Sequence, residues 1–231
     1  MSKRTIIQIN HSSFDKQKDF RNNKLEVIGN FERTNPLKRL YYQLPHYNNE
    51  QSTITYLYID KFKFIKPSVK EFYINLTVNL DPKNNNSFYS GFKMSSLDGV
   101  DEECSQHLEF NFNKNILNSE SSRLFSIRYK HELAYADVID FDDKIDYRYQ
   151  SFVILVEYKV DKLHFRILRK NNKGGRVEET LYDDEIDNIT FDKSLDYELY
   201  LFDNVRKYNH QFYNDKITDQ FGYFEMAEYD L

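Results

Sequence analysis

Hydrophobic and polar residues alternate with a period of two through the segment from Ser151 to Leu168. The apolar positions of this segment share one face of an extended chain: Phe152, Ile154, Val156, Tyr158, Val160, Leu163, Phe165 and Ile167. This pattern predicts a β-hairpin with a two-residue turn at Asp161-Lys162, because such a turn opposes Val160 with Leu163, Tyr158 with Phe165 and Val156 with Ile167.

The same alternation recurs along most of the chain. The clearest further strand is Glu71 to Leu80, and shorter ones are centred on Phe110, Ile127 and Leu199. Turn signals separate these strands every eight to fifteen residues, and no stretch longer than three turns has a helical period. The pattern predicts an all-β fold, a two-sheet antiparallel β-sandwich.

Residues 1–50 lack this regular pattern. Two short apolar runs, at Ile6 to Ile9 and Leu25 to Ile28, are separated by a charged segment and followed by Pro36 and Pro45. We therefore expect residues 1–50 to form an amino-terminal arm or irregular first strands, and residues 51–231 to form the sandwich.

The composition narrows the class of protein. Aromatic residues make up 16 % of the 231 residues, which favours a folded core, and the formal net charge of -5 argues against a nucleic-acid partner. Cys104 is the single cysteine, so no internal disulfide can form. Because we find no apolar targeting or membrane-spanning run, we expect a soluble protein made in a cytosol without a membrane partner.

The order of strands in the carboxy-terminal half resembles the concanavalin-like jelly roll, including laminin-G-like domains of phage and viral structural proteins. The resemblance lies in the Ser151 to Leu168 hairpin, a short strand at Tyr197 to Asn204 and a closing strand at Phe221 to Leu231. It implies that the closing strand pairs back near the amino-terminal strands, within a jelly-roll sandwich.

An acidic segment, Asp184 to Thr190, is similar to the catalytic strand of laminarinase-like glycosidases on this fold. Glu185 and Asp187 stand where the nucleophile and the assisting acid belong, but Thr190 replaces the second glutamate, which has to protonate the leaving group. We interpret the segment as a solvated acidic loop and keep a degenerate glycoside hydrolase as an alternative.

A second acidic group offers oxygen ligands for a hard cation such as calcium. It comprises Asp140, Asp142 and Asp143, with further acids nearby at Asp137 and Asp146 and a possible complement at Asp101 to Glu103. The spacing matches no EF-hand loop, so we expect no cofactor and treat calcium as the alternative.

Basic residues cluster at one end of the predicted hairpin. They are Arg166, Arg169, Lys170, Lys173 and Arg176, and they surround Asn171-Asn172 and Gly174-Gly175. This loop could contact an acidic protein surface, a phosphate or a sulfated glycan. It has no Walker spacing, so we favour a protein-contact or solvated loop over a nucleotide site.

No sequence motif marks a catalytic residue. The six histidines never fall at metal-ligand spacing, no G-x-S-x-G elbow is present, and nothing marks Cys104 as activated. His164 alternates with Leu163 and Phe165, so we expect it to face solvent.

These observations favour a non-enzymatic structural or interaction protein, and specifically a virion component of a bacteriophage or other virus. We expect it to assemble with other protein subunits as a homo-oligomer or within a larger assembly, in the virion or the host cytoplasm. The alternative, from a different class, is a lectin-like carbohydrate-binding module that uses tyrosine rings, with or without calcium.

Overall fold

The fold is known from a computed structural model, which describes residues 2–9, 25–28, 32–34, 41–43, 56–64, 71–81, 88–96, 106–113, 122–142, 150–170, 177–203 and 219–230. Every regular element in these ranges is a β-strand. The strands are β1 (Ser2–Ile9), β2 (Leu25–Ile28), β3 (Glu32–Thr34), β4 (Tyr41–Gln43), β5 (Tyr56–Lys63), β6 (Glu71–Leu80), β7 (Phe88–Ser96), β8 (His107–Asn113), β9 (Ser122–Tyr129), β10 (Glu132–Asp140), β11 (Gln150–Lys159), β12 (Lys162–Lys170), β13 (Val177–Ile186), β14 (Asp196–Asp203) and β15 (Gln220–Asp230).

The described strands form two antiparallel sheets. Sheet 1 has the order β13-β12-β11-β6-β15-β4-β3, with β1 also paired to β15, and sheet 2 has the order β10-β9-β8-β7-β14-β5-β2. The predicted two-sheet antiparallel sandwich is therefore confirmed. Among the described residues, no helix is long and apolar enough to cross a membrane.

The core lies between the two sheets and is built by the alternation seen in the sequence. On β6, every second side chain from Phe72 to Leu80 is buried against sheet 2, as the period-two pattern predicts. Aromatic rings join the layers: the ring centroids of Phe110 and Phe125 in sheet 2 are 5.6 Å apart, and Phe125 meets Phe165 of sheet 1 at 6.3 Å. Edge-to-face and stacked rings of this kind stabilise the packing beyond the area that they bury.

The chain closes as the resemblance implied. β15 pairs with β6 on one side and with β1 and β4 on the other, so the last described strand lies beside strands from the amino-terminal part. Ile6, Ile7 and Ile9 of β1 are buried in the core. These isoleucines anchor β1 to the sandwich through the hydrophobic effect.

The hairpin exists, but its predicted turn was wrong. The turn lies at Val160-Asp161, and the strands pair Tyr158 with Leu163, Val156 with Phe165 and Ile154 with Ile167. β11 also pairs with β6, from Gln150 opposite Leu80 to Lys159 opposite Glu71. Val160 lies in the turn, with a φ of 58° and 60 % of its surface exposed.

Charged side chains are buried at two ends of the core. Arg123 and Asp219, both fully buried, form an ion pair, and the backbone N–H of Asp81 donates to Asp219 at 2.8 Å. Lys193 lies over the rings of Phe64, Phe72 and Tyr158 at 5.4 to 5.9 Å, and burial lowers its pKa to about 8. Buried charges need partners of this kind because desolvation is costly.

Candidate functional site

The structure separates two members of the predicted basic loop. Arg166 points outward from sheet 1 and pairs with Glu157 at 3.2 Å, whereas Arg169 is buried, pairs with Glu179 at 3.0 Å and donates to the Asp140 carbonyl at 2.6 Å. Three residues apart on a strand, they lie on opposite faces. Lys170 is half-buried at the strand end, and Lys173 and Arg176 lie outside the described residues.

The predicted calcium ligands are placed only in part. Asp140 is exposed at the end of β10, Asp142 lies 3.8 Å from Arg169, and Asp143 lies outside the described residues. Within the described part of the chain, no group of three or more His, Cys, Asp or Glu side chains is arranged to hold a metal ion.

The acidic segment similar to a glycosidase strand is partly β-strand rather than loop. Glu185 belongs to the edge strand β13, and Lys162 Nζ lies 3.0 Å from its carboxylate and 3.1 Å from that of Asp187. Thr190 accepts through its carbonyl from the Tyr129 hydroxyl at 2.6 Å. These carboxylates are exposed and share one lysine, which is the geometry of a surface ion-pair cluster.

His164 is half-buried rather than fully solvated. It lies on the outward face of sheet 1, with Nδ1 at 3.4 Å from Glu157 and Nε2 against Asp183.

A buried polar cluster occupies the outward face of sheet 2. On β8, Leu108, Phe110 and Phe112 point into the core, so the intervening residues point outward. They meet outward-pointing serines of β7, because Ser95 pairs with His107 and Ser90 pairs with Asn111. We call this cluster the histidine face: Ser90, Ser95, His107, Glu109 and Asn111.

The side chains of the histidine face form one hydrogen-bonded chain. Ser95 Oγ lies 3.0 Å from His107 Nδ1, and His107 Nε2 lies 3.4 Å from Glu109 Oε2. The other carboxylate oxygen of Glu109 accepts from the Ser90 hydroxyl, which also lies 3.0 Å from the Asn111 side-chain oxygen. The ring of His131 stacks on that of His107, with the centroids 4.2 Å apart.

Hydrogen bonding keeps Glu109 ionised. Burial alone raises its pKa, but hydrogen bonds from His107, Ser90 and Asn111, together with the electrostatic effect of His107, lower the pKa to about 2. An ionised carboxylate can only accept, so Nε2 of His107 carries the proton shared with Glu109. In the neutral form of the imidazole, Nδ1 is then the acceptor that faces the Ser95 hydroxyl.

Sequence analysis missed this cluster, although one signal was present. His107, Glu109 and Asn111 occupy every second position of β8, opposite in phase to Leu108, Phe110 and Phe112. That spacing predicts three polar side chains on one face. Ser95 is twelve positions before His107 and shares no motif with it, so only strand pairing shows that they meet.

A second polar cluster lies on the outward face of sheet 1 and is rich in tyrosine. We call it the tyrosine face, and its members come from β6, β11, β12 and β15: Tyr73, Asn75, Thr77, Asn79, Ser151, Val153, Arg166, Tyr223, Glu225 and Tyr229. The rings of Tyr73 and Tyr229 are 5.3 Å apart. Small side chains, Thr77 and Val153, form its buried floor, between the longer side chains of Tyr223 and Leu168.

Glu225 collects the donors of the tyrosine face. Its carboxylate accepts from the Tyr73 hydroxyl at 2.7 Å, from Lys3 at 2.8 Å, from Thr5 at 3.0 Å and from Tyr223. Burial raises the pKa of Glu225, but these hydrogen bonds outweigh it and lower the pKa below its ordinary value. Burial and the bond to Glu225 raise the pKa of Tyr73.

Three buried polar atoms of the tyrosine face have no hydrogen-bond partner among the described residues: Asn75 Oδ1, Ser151 Oγ and Arg166 Nε. Ser151 is only 1 % exposed. Buried polar atoms are nearly always paired, because leaving one unpaired costs about 1 to 3 kcal/mol. These atoms therefore mark a place where an additional donor or acceptor would be stabilised.

The sequence matches no protein-family model, and a search of curated proteins gives no match either. Solved structures share the fold at low identity. The botulinum neurotoxin serotype D/C VPI 5993 binding domain is 13 % identical, with a TM-score of 0.53 over 98 % of this chain and 49 % of that one. The chain thus spans about half the length of the toxin binding domains.

Two other structures match over nearly their whole length. Arcelin-5, a lectin-like defense protein from Phaseolus vulgaris, is 8 % identical, with a TM-score of 0.54 over 100 % of this chain and 99 % of that one. A double mutant of the alginate lyase Aly36B, in complex with alginate trisaccharide, is 13 % identical, with a TM-score of 0.51 over 98 % of both chains. These similarities show that the fold is a concanavalin-like, lectin-like β-sandwich.

Proposed function

We propose that the chain is a lectin-like binding module that holds an oligosaccharide on the tyrosine face. The observation that carries this proposal is the set of unpaired buried atoms on Asn75, Ser151 and Arg166. A sugar presents hydroxyl groups that both donate and accept, so one ligand can satisfy an amide oxygen, a serine oxygen and a guanidinium N–H.

The surroundings of these atoms suit a saccharide. Tyrosines are useful at a binding surface because each combines an apolar ring with a polar hydroxyl. Along the row from Glu225 through Asn75 to Arg166, three strand spacings cover roughly 14 Å, which is long enough for several sugar units. Arg166 adds a planar cationic donor for carboxylated sugars.

The fold comparison supports the proposal at the level of architecture. Arcelin-5 is described as lectin-like, and the alginate lyase structure contains an alginate trisaccharide. A concanavalin-like sandwich can therefore hold a saccharide, and here the unpaired buried atoms of Asn75, Ser151 and Arg166 lie on the outward face of sheet 1.

The proposal is tested by a glycan array followed by calorimetric titration of the best ligand. We expect Ser151→Ala to weaken binding up to about tenfold, because it removes one hydrogen bond worth about 1 kcal/mol. Tyr223→Ala should weaken binding more, because it also removes a ring. Ser126→Ala is the matched control, since Ser126 points outward from sheet 2 and should leave affinity unchanged.

Two results would contradict glycan binding on this face. One is an array without binding at any concentration up to millimolar. The other is a bound glycan whose affinity is the same in wild type, Ser151→Ala and Tyr223→Ala. Repeating the titration with a chelator separates direct binding of the glycan from binding through calcium. The calcium site predicted at Asp140, Asp142 and Asp143 stays a prediction.

The role that the sequence analysis favoured, a virion component that assembles with other protein subunits, also stays a prediction. A virion subunit should form oligomers of defined size, so light scattering after gel filtration at tens of micromolar is the measurement. A monomer that recovers no partner from its native source would contradict that role and leave the glycan proposal intact.

A further inference from the structure

We propose that Ser95, His107 and Glu109 form a nucleophile–base–carboxylate relay that hydrolyses small carboxylic esters on the histidine face. This activity goes beyond glycan binding and lies on the opposite sheet from the tyrosine face.

The three groups have the mutual geometry of an activated serine. A nucleophilic hydroxyl needs a base within hydrogen-bond reach, and the base needs a third group that fixes its tautomer. Ser95 Oγ is 3.0 Å from His107 Nδ1, and His107 Nε2 is 3.4 Å from Glu109 Oε2. The two ring nitrogens exchange the positions usual in serine hydrolases, but their roles as acceptor and donor are the same.

The relay is held rigidly by the sheet. Ser95 and His107 are directly opposed in neighbouring strands, and Glu109 follows His107 on the same face of β8. The Ser90 hydroxyl donates to the other carboxylate oxygen of Glu109, and the ring of His131 stacks on that of His107. When the imidazole is neutral with its proton on Nε2, its one acceptor nitrogen is Nδ1, which faces the Ser95 hydroxyl.

The chemistry balances without any group beyond water. Ser95 Oγ attacks the acyl carbon while its proton passes to His107 Nδ1, and the ester C–O bond breaks as that proton passes to the leaving alkoxide. Water then attacks the acyl-serine, gives a proton to Nδ1 and releases the carboxylic acid as the proton returns to Oγ. Glu109 stays ionised and acts as a positioning residue that stabilises the imidazolium.

The substrate class follows from exposure. Ser95 is only 8 % exposed, so a small acyl group such as acetyl is the group that can reach its oxygen. Lys93 lies two residues before Ser95 on the same strand face, and its ammonium lies over the Tyr200 ring of β14, 5.2 Å from the centroid.

The experiment is covalent labelling of the full chain with a small fluorophosphonate, followed by intact mass and peptide mapping. We expect one adduct, on Ser95, and a matching turnover of p-nitrophenyl acetate. Both should disappear in Ser95→Ala, fall by about 100-fold or more in His107→Gln, and persist in the control Ser126→Ala. In Glu109→Gln, labelling should fall and its pH profile should shift, which a purely structural role of Glu109 would not produce.

A second variant keeps the inference testable if these substitutions disturb folding. Ser95→Cys in a Cys104→Ser background preserves the side-chain size and reports the base directly. A thiol next to His107 should be alkylated by iodoacetamide at a rate that stays high down to about pH 6, whereas an ordinary thiol has a pKa of about 8.5. An ordinary pH profile in the cysteine variant, or absence of a Ser95 adduct in folded wild type, overturns the relay; glycan-array results bear on neither outcome.

Discussion

The two outward faces of the sandwich are each organised around a buried glutamate, and they use it in different ways. Glu225 on the tyrosine face accepts from a phenol, an ammonium and a hydroxyl. Glu109 on the histidine face accepts from an imidazole, whose second nitrogen faces a further hydroxyl. The donors of the first network converge on its carboxylate, and the second network passes through the imidazole to Ser95.

This difference separates binding from reactivity. The tyrosine face holds its side chains around Glu225 and leaves acceptors on Asn75 and Ser151 unpaired for a ligand. The described side chains of the histidine face pair with one another, and the pairing aims a hydroxyl proton at a base. A polar, buried sheet face can thus leave groups available for a ligand, as on sheet 1, or pair its groups with one another, as on sheet 2.

The largest expected effect comes from removing the centre of the tyrosine face. Glu225→Ala leaves Tyr73 and Lys3 without their acceptor and loosens β1, so we expect the free energy of unfolding to fall by about 4 kcal/mol. Urea denaturation measures this loss. Glu185→Ala, an exposed carboxylate on β13, is the control and should change stability by less than about 0.5 kcal/mol. Equal losses in the two variants would remove the distinction between a buried network and a surface cluster.

Acid should weaken the histidine face through Glu109. Its pKa in the folded state is about 2, below the ordinary value of 4.5, so its stabilisation is present above pH 4.5 and is lost as the pH falls towards 2. The loss is about 3 kcal/mol. Denaturation at a series of pH values measures this loss. Below pH 4.5 the free energy of unfolding of Glu109→Gln should depend less on pH than that of the wild type. The same dependence in both proteins would show that Glu109 is not stabilised by its donors.

Alkali should instead weaken the tyrosine face. Folding raises the pKa of Tyr73 above 10, so its contribution is complete below pH 10 and is lost as the pH rises further. One such tyrosine removes about 1 kcal/mol between pH 10 and 11. Tyr73→Phe should reduce this slope, whereas Tyr200→Phe on sheet 2, whose hydroxyl meets Glu198 at 3.2 Å, serves for comparison.

The smallest expected effect distinguishes the two serines. Ser151→Ala removes an unpaired buried oxygen, so stability should stay level or rise by less than about 1 kcal/mol, whereas Ser95→Ala loses a hydrogen bond and should cost about 1 kcal/mol. Thermal denaturation of both variants decides the sign. A loss for Ser151→Ala as large as that for Ser95→Ala would mean that Ser151 is already paired.

The sequence predicted the class of fold because the apolar residues follow the two-residue period of strands. The apolar positions of β6, β8 and β12 all lie in the core, as their alternation predicts. The hairpin turn was misplaced because a shift of two residues keeps every apolar side chain on the same face. Alternation therefore fixes which face of a strand enters the apolar core, whereas only the observed pairing of β11 with β12 shows where the turn lies.

The candidate sites were harder to predict than the fold. Arg166 and Arg169 are close in sequence, yet they lie on opposite faces of β12 and already pair with acids. Ser95 and His107 are separated by twelve residues, yet they meet across one strand pair. Charge clusters in a sequence are local, whereas the chemistry of a sheet face depends on which strands become neighbours.

By itself the sequence determined that this chain buries its alternating apolar side chains between two antiparallel sheets. The reason is that the hydrophobic effect acts on the period-two pattern of apolar residues, which is local in the sequence. Only the tertiary structure decided the contents of the two outward faces. The hydrogen-bond partners of a polar side chain on a sheet cannot be predicted from its neighbours in the sequence. Strand order and register determine those partners.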